Sequence, residues 1–488
     1  MIKQILLIFT LITEAVMAQN MDLARNLYDN YEIYREPSLT RRRFKHADIL
    51  PLINKIERQG IFNVEKAGKS AEGREIFLLS IGRGSSKVFL WSQMHGDEAT
   101  ATMALFDVFN FFHANDDLHE IKKTIFDNLT IYFMPMVNPD GAEVYQRRNI
   151  FEIDINRDAA RQQTPEGITL RKTFEKIKAD FGFNLHDQST RYSVGNSSNS
   201  AALAFLAPSL DHEKSIDSVR ENSMKLICEL YKMLDYFIPG HIAKYRDDYE
   251  PRAFGDNFQK WGTSTILVES GIWKDDPDGQ FIRKLNFISF ITSFYSIAAK
   301  TYKHESLKTY EQIPQNEERF FDLILRNLSY KKNNEKITID IGINKDEVSY
   351  NSARDYYYSS SVEDVGDLSV FHGFEDFDFR GYEINHGKTY PKEFASMKEI
   401  AKVDFTKLYS QGYTNVMLKK KDKSQSFTPL PVNITFNNDA KTNSNKKLLG
   451  GKANFYISKN GEVHYVIING FMIGVKSPYG KVINALIK

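Results

Sequence analysis

His95 and Glu98 stand three residues apart in Trp91-Ser-Gln-Met-His95-Gly-Asp-Glu98, where an apolar strand gives way to a helix. An imidazole and a carboxylate at that spacing can reach one metal ion together. A distant histidine would complete an open His2Glu set of the kind zinc uses, with a fourth position left for water. In a chain with 11 His and 63 acidic residues the pair also arises by chance. The decision therefore rests on what stands near it in space.

From 75 to about 300 the sequence alternates short apolar runs with longer helical patterns. The predicted strands are 76–81, 88–91, 129–134, 181–185 and 264–268. The predicted helices include 98–112, 169–178 and 216–234. That alternation indicates an α/β domain with a mostly parallel, mixed core sheet flanked by helices. His186 directly follows Phe181-Gly-Phe-Asn-Leu185, and Glu269 directly follows Ser264-Thr-Ile-Leu-Val268. Asn138-Pro-Asp-Gly141 follows the strand ending at Met134, and His95 lies just past Trp91. Ligands bind at the carboxyl ends of strands in open α/β sheets, so four such strand ends converge on one cleft.

These residues resemble the zinc metallocarboxypeptidases of the carboxypeptidase A type. In chain order the resemblance runs through His95-Gly-Asp-Glu98, Asn138-Pro-Asp-Gly141, Asp154-Ile-Asn-Arg157, Asn184-Leu-His186 and Leu267-Val-Glu269, over about 45 to 300. It implies that His95, Glu98 and His186 bind one zinc ion and that Glu269 is the general base. It implies that Arg147, with Arg148 the adjacent choice of register, stabilises the oxyanion. Asn156 and Arg157 would hold the substrate's terminal carboxylate, and Asp154 would orient a zinc-bound histidine. The family's substrate-covering tyrosine falls on Tyr249, with Tyr245 also in reach. The segment Glu250-Pro-Arg-Ala-Phe-Gly-Asp-Asn257 and the residues Asp187-Gln188 depart from the digestive members. Arg252 and Asp256 are thereby candidates for the specificity pocket, and the residue cleaved stays open.

Composition sets the frame. The chain has 488 residues, 42% hydrophobic and 26% charged, with 35 Phe and 25 Tyr, which suits a soluble protein of two or three domains. A net charge of +1 gives no electrostatic case for a nucleic-acid partner. Runs such as Arg41-Arg42-Arg43 and Lys419 to Lys423 read as solvated faces or loop tips. Residues 1–18 read as a signal peptide, with Lys3, the apolar core Ile5 to Ile12 and a small-residue site ending at Ala18. The expected location is secreted or periplasmic, with no transmembrane segment. Cys228, the one cysteine, reads as buried helix packing and permits no intrachain disulfide.

The expected organisation is a catalytic domain over 19–310, a helix (about 316 to 328) and linker over 311–335, and a smaller all-β region over 336–488 that divides near 411. Asn460-Gly461 and Asn469-Gly470 read there as two-residue hairpin turns. His372 and His386 read as structural. The partner of the β region is open. The leading function is hydrolysis of a C-terminal peptide bond in a peptide or peptide-like substrate with a free carboxylate. A zinc amidase, deacylase or cell-wall peptide hydrolase would use the same site. A binding protein without catalysis, or an adhesin acting through its β region, are the readings from other classes.

Overall fold

The computed structural model describes residues 19–420, 425–436, 447–476 and 485–487. The expected signal peptide, and Lys421 to Lys423 of the basic run, lie outside them. Two compact units divide between Glu318 and Arg319.

The first unit opens with helices α1 (19–29) and α2 (His46–Gln59). Its chain then runs β1 (Asn63–Lys69), β2 (Glu75–Gly82), β3 (Ser86–Ser92), α3 (Thr100–His113), α4 (His119–Asn128), β4 (Leu129–Met134), α5 (Pro139–Val144), α6 (Pro165–Ile177) and β5 (Phe181–Asp187). It continues through β6 (Tyr192–Val194), β7 (Leu203–Leu206), α7 (Ser218–Phe237), β8 (Ile242–Lys244), α8 (Phe254–Lys260), β9 (Ser264–Ser270) and α9 (Gln280–Ala299). The eight-stranded sheet has the order β1-β2-β4-β3-β5-β9-β7-β8. Strands β4, β3, β5 and β9 run parallel, and antiparallel pairs flank them at β2 and β7. This is the expected mixed, mostly parallel sheet.

Period-two alternation sorts the side chains of the central strands into two cores. Val88, Leu90, Phe181, Phe183, Leu185, Ile266 and Val268 pack with α3, α7 and α9. Phe89 and Trp91 face the other way, against Phe174 of α6 and Phe254 and Phe258 of α8. Helix α9 is apolar nearly all round and almost wholly buried, as a helix caught between sheet and neighbours must be. No helix of the described residues is long and apolar enough to cross a membrane. Cys228 of α7 is buried, as its pattern predicts.

The basic N-terminal segment is part of this unit. Arg283 of α9 and Asp107 of α3, both fully buried, form a two-pronged pair at 2.5 and 2.7 Å. Arg283 also donates to the carbonyls of Leu39 and Glu36, and Tyr31 donates to Asp107 at 2.7 Å. Arg43, expected in a solvated run, is instead buried with its guanidinium 3.9 Å from the Tyr145 ring centre. Breaking one partner of a buried pair strands the other charge. Asp107→Ala is expected to cost about 3–5 kcal/mol of stability, read from the denaturation midpoint.

Helix α10 (Leu307–Gln312) and β10 (Asn316–Glu318), which pairs with β6, end the first unit. The second unit begins with β11 (Phe320–Lys332), where a helix over 316–328 was expected. Its strand β12 (Glu335–Tyr350) pairs with β11 through a two-residue turn at Asn333-Asn334, both in the left-handed region. Next come β13 (Asp355–Gly366), β14 (His372–Asp378), β15 (Glu383–His386) and β16 (Lys388–Phe394). Short helices α11 (Met397–Ile400) and α12 (Phe405–Tyr409) interrupt the expected all-β pattern. The remaining strands are β17 (Tyr413–Leu418), β18 (Phe427–Thr428), β19 (Asn433–Thr435), β20 (Asn454–Lys459), β21 (Glu462–Ile468), β22 (Phe471–Gly474) and β23 (Ala485–Leu486). Strands on both sides of residue 411 join one sheet, because β20 pairs with β15. Asn460-Gly461 and Asn469-Gly470 make two-residue turns with all four φ angles positive, as their sequence predicts.

Candidate active site

Strand β3 ends at Ser92, and the next seven residues carry the chain into α3 along a path fixed by Asn138. The amide N–H groups of Val137 and Asn138 donate to the carbonyls of Ser92 and Gln93. The Asn138 side chain donates to Met94 O at 3.2 Å and accepts from Gly141 N at 2.9 Å, capping α5. A Cβ on Gly96 would lie 2.0 Å from the Gly141 backbone, so the two turns approach too closely for any side chain there. The Asn-Pro-Asp-Gly motif therefore acts as a buttress. It sets where His95 and Glu98 point.

His186, the last residue but one of β5, lies on the face opposite Leu185, and β9 places Glu269 directly across from it. Three donor atoms converge. His95 Nδ1 lies 2.8 Å from Glu98 Oε1, and His186 Nδ1 lies 2.6 Å from Glu98 Oε2 and 3.1 Å from His95 Nδ1. Among the described residues these three form the group of His, Cys, Asp and Glu that could hold a metal, with ligand atoms within 4.8 Å of one another. All three are buried. Asp154 Oδ1 sits 3.0 Å from His95 Nε2, which directs the lone pair of Nδ1 toward the other donors. This donor set fits zinc, which takes imidazole and carboxylate together. Histidines 372 and 386 belong to no such group among the described residues.

Arg147 stands over the donors, with Nη1 3.1 Å from His95 Nδ1 and 3.2 Å from Glu98 Oε1. Its Nε donates to Asp154 Oδ2 at 3.0 Å. Asp154 thus ties histidine and arginine together from behind. Asn156 follows in the 3-10 turn Ile155–Arg157, which Asp154 caps by accepting from Asn156 N at 2.9 Å. Asn156 Oδ1 accepts from Phe254 N at 2.9 Å and so joins this turn to the start of α8.

His95, Glu98, Arg147, Asn156, Arg157, His186 and Glu269 line one cleft of about 250 Å³. Two expected residues do not reach it. Arg148 turns outward and donates to Glu152 O at 2.9 Å, and Tyr249 packs edge-on against His212 at 4.8 Å. Of each pair of alternatives, Arg147 and Tyr245 are the ones that line the cleft. Of the two pocket candidates, Asp256 lines it and Arg252 does not. Tyr192, Arg246 and Asp248 also line it, and no motif in the sequence marked them. The departure at Asp187-Gln188 has a structural use. Asp187 accepts from Thr100 N and Oγ1 at the start of α3, and Gln188 donates to Ala201 O and accepts from Asn316.

Burial and the neighbouring charges of Glu98 and Asp187 hold the Glu269 carboxyl well above the usual carboxylate range. Burial pulls Glu98 the same way, but the adjacent His95 and His186 outweigh it and keep Glu98 ionised. The two carboxyls are therefore held apart, Glu98 favouring its ionised form and Glu269 its protonated form. Burial also raises Asp256 to about 7.

Residues 52–226 match the family model described as zinc carboxypeptidase. The segment includes His95, Glu98, Arg147, Asp154 and His186, and it ends before β9. Carboxypeptidase SOL1 of Arabidopsis thaliana is 24% identical over 151 residues, which are 29% of this chain and 31% of that protein. An uncharacterized protein of Zymomonas mobilis is 25% identical over 126 residues, 25% of this chain and 33% of that protein. The chain thus spans about a third of the length of these curated relatives. Among solved structures, a metallo-carboxypeptidase from Burkholderia cenocepacia has 16% identity and a TM-score of 0.43, over 53% of this chain and 70% of that one. The carboxypeptidase A of Helicoverpa armigera has 14% identity and a TM-score of 0.42, over 53% and 73%.

Proposed function

We propose that this protein is a secreted or periplasmic carboxypeptidase that uses one zinc ion to hydrolyse the last peptide bond of a substrate with a free C-terminal carboxylate. The observation that carries this reading is the convergence of His95, Glu98, His186, Glu269, Arg147, Asn156 and Arg157 on one cleft. Zinc held by the two histidines and Glu98 would polarise the scissile carbonyl and lower the pKa of a water toward neutrality. Glu269 takes the proton of the attacking water and passes it to the leaving amine, a task suited to a carboxyl with a raised pKa. Arg147 donates to the carbonyl oxygen as it gains charge. Asn156 and Arg157 receive the terminal carboxylate. Tyr245, rather than Tyr249, stands at the cleft to cover the bound residue.

Incubating peptides having free or amidated C-termini with the purified protein, with and without a chelator, tests the reading. Chelator-sensitive release of single residues from free termini alone is expected. Cleavage of acyl amides or cell-wall peptides instead would keep the site and transfer it to the amidase alternative. Export through residues 1–18 predicts a mature chain that starts at Gln19, which intact-mass measurement reads directly.

A basic last residue suits this cleft. Asp256 is half-buried in its wall, and an incoming ammonium or guanidinium would favour the ionised carboxylate. Peptides ending in Lys or Arg are expected to exceed those ending in Phe by about ten- to a hundredfold in kcat/KM, the worth of one charge-assisted contact. That advantage grows as pH rises through about 7, where Asp256 loses its proton. Asp256→Asn removes both the advantage and its pH step. A preference unchanged in the variant would take Asp256 out of the pocket.

A further inference from the structure

Arg157 and Arg252 share one carboxylate. Glu250 Oε2 lies 3.2 Å from Arg157 Nε and accepts from Arg252 Nη2 at 2.8 Å. Glu250 Oε1 accepts from Arg252 Nε at 2.9 Å and from the Arg252 backbone N–H at 3.1 Å. The Glu250 N–H donates to Asp256 Oδ1 at 3.1 Å, and the Arg252 carbonyl accepts from Ala159 N at 3.1 Å. Arg252 therefore satisfies Glu250 through a two-pronged pair that is itself anchored to the backbone.

Arg157 is held more lightly. Its Nε lies 3.2 Å from Glu250 Oε2, longer than either side-chain contact Arg252 makes there, and its Nη1 donates to Asn156 O at 2.8 Å. Its flank is tied while it still lines the cleft. Two guanidiniums and one carboxylate leave the trio with a net positive charge. A substrate carboxylate can approach the end of Arg157 without displacing Glu250.

We infer that Glu250, locked by Arg252, is a positioning residue that aims Arg157 at the terminal carboxylate of the substrate. The inference rests on the carboxypeptidase reading above. It assigns a use to the segment 250–257, in which this chain departs from the digestive enzymes. The opposite arrangement, with Glu250 competing for Arg157, would give the opposite sign in every measurement below.

Calorimetric binding of N-acetyl-lysine and N-acetyl-lysinamide to the zinc-loaded protein provides a readout apart from turnover. The wild type is expected to favour the acid. Glu250→Gln weakens acid binding about tenfold, as loss of a charge-assisted contact should, and leaves amide binding alone. KM for peptides with free termini rises by a similar factor, with most of the loss in KM rather than kcat. Arg252→Ala shifts the same quantities in the same direction. Its side chain is 59% exposed, so the change removes no core packing. Unchanged discrimination between acid and amide in both variants, or tighter acid binding in Glu250→Gln, overturns the inference. A wild type that cleaves peptides while both variants match it sinks this inference alone. A wild type that shows no preference for the acid sinks the reading beneath it as well.

Discussion

Glu269→Gln is expected to lower kcat by about a hundred- to ten-thousandfold, with KM and zinc content nearly unchanged. An amide of the same shape keeps the packing at the end of β9 but cannot accept a proton. The variant should also fold at least as well as the wild type at neutral pH. The folded-state pKa of Glu269 is raised by burial, so its contribution to stability is fully present below the pKa of the unfolded chain. That contribution is lost as pH rises through the folded pKa. Replacing a strained carboxylate with a neutral amide removes this penalty. Steady-state kinetics and a denaturation curve on one preparation separate chemistry from folding. A variant that retains most of its kcat would remove Glu269 from the proton-transfer role.

His186→Ala is expected to abolish stoichiometric zinc binding and, with it, activity. Two donors cannot close the His2Glu set, and the loss removes one of the two histidines that keep Glu98 ionised. Zinc at a hundred times its dissociation constant should stabilise the wild type by about 2.7 kcal/mol through mass action. That thermal shift should vanish in the variant. Asp154→Asn offers a graded comparison, because it removes only the charge that orients His95 and Arg147. Zinc affinity there should fall about ten- to a hundredfold with the site otherwise intact. Metal analysis after dialysis checks both. Full zinc occupancy in His186→Ala would place the metal elsewhere.

Much of the site could be read from the sequence because His186 and Glu269 lie at the ends of strands and His95 and Glu98 share one short pattern just past β3. His186 and Glu269 share a register between neighbouring strands, and that register is what brings them together. The harder positions lay on loops. Arg147 and Arg148 are consecutive, and only the path of the loop sends one inward to Asp154 and the other outward to Glu152. Tyr245 directly follows β8, where its N–H donates to Phe205 O and continues the pairing with β7. Tyr249 lies beyond that constraint and packs on His212 instead. No local window contains those partners.

The same limit explains 316–328. Phe320, Phe321, Ile324, Leu325 and Leu328 fit a helical period as well as a buried strand. The segment is a strand because β12 pairs with it along one edge and β14 along the other, satisfying its backbone on both sides. The Asn333-Asn334 turn was the local signal for that hairpin. Arg43 resisted prediction for a related reason. A three-arginine run looks solvated until Tyr145, about a hundred residues away, supplies a ring face to cover it.

The most direct test of a zinc-dependent carboxypeptidase is a titration of metal-stripped protein with zinc while release of the C-terminal residue is followed. The account predicts activity that rises linearly and stops at one equivalent, with Glu269→Gln binding the same equivalent and releasing nothing. Zinc bound at one equivalent by the wild type, with no residue released from any free C-terminus, would contradict it.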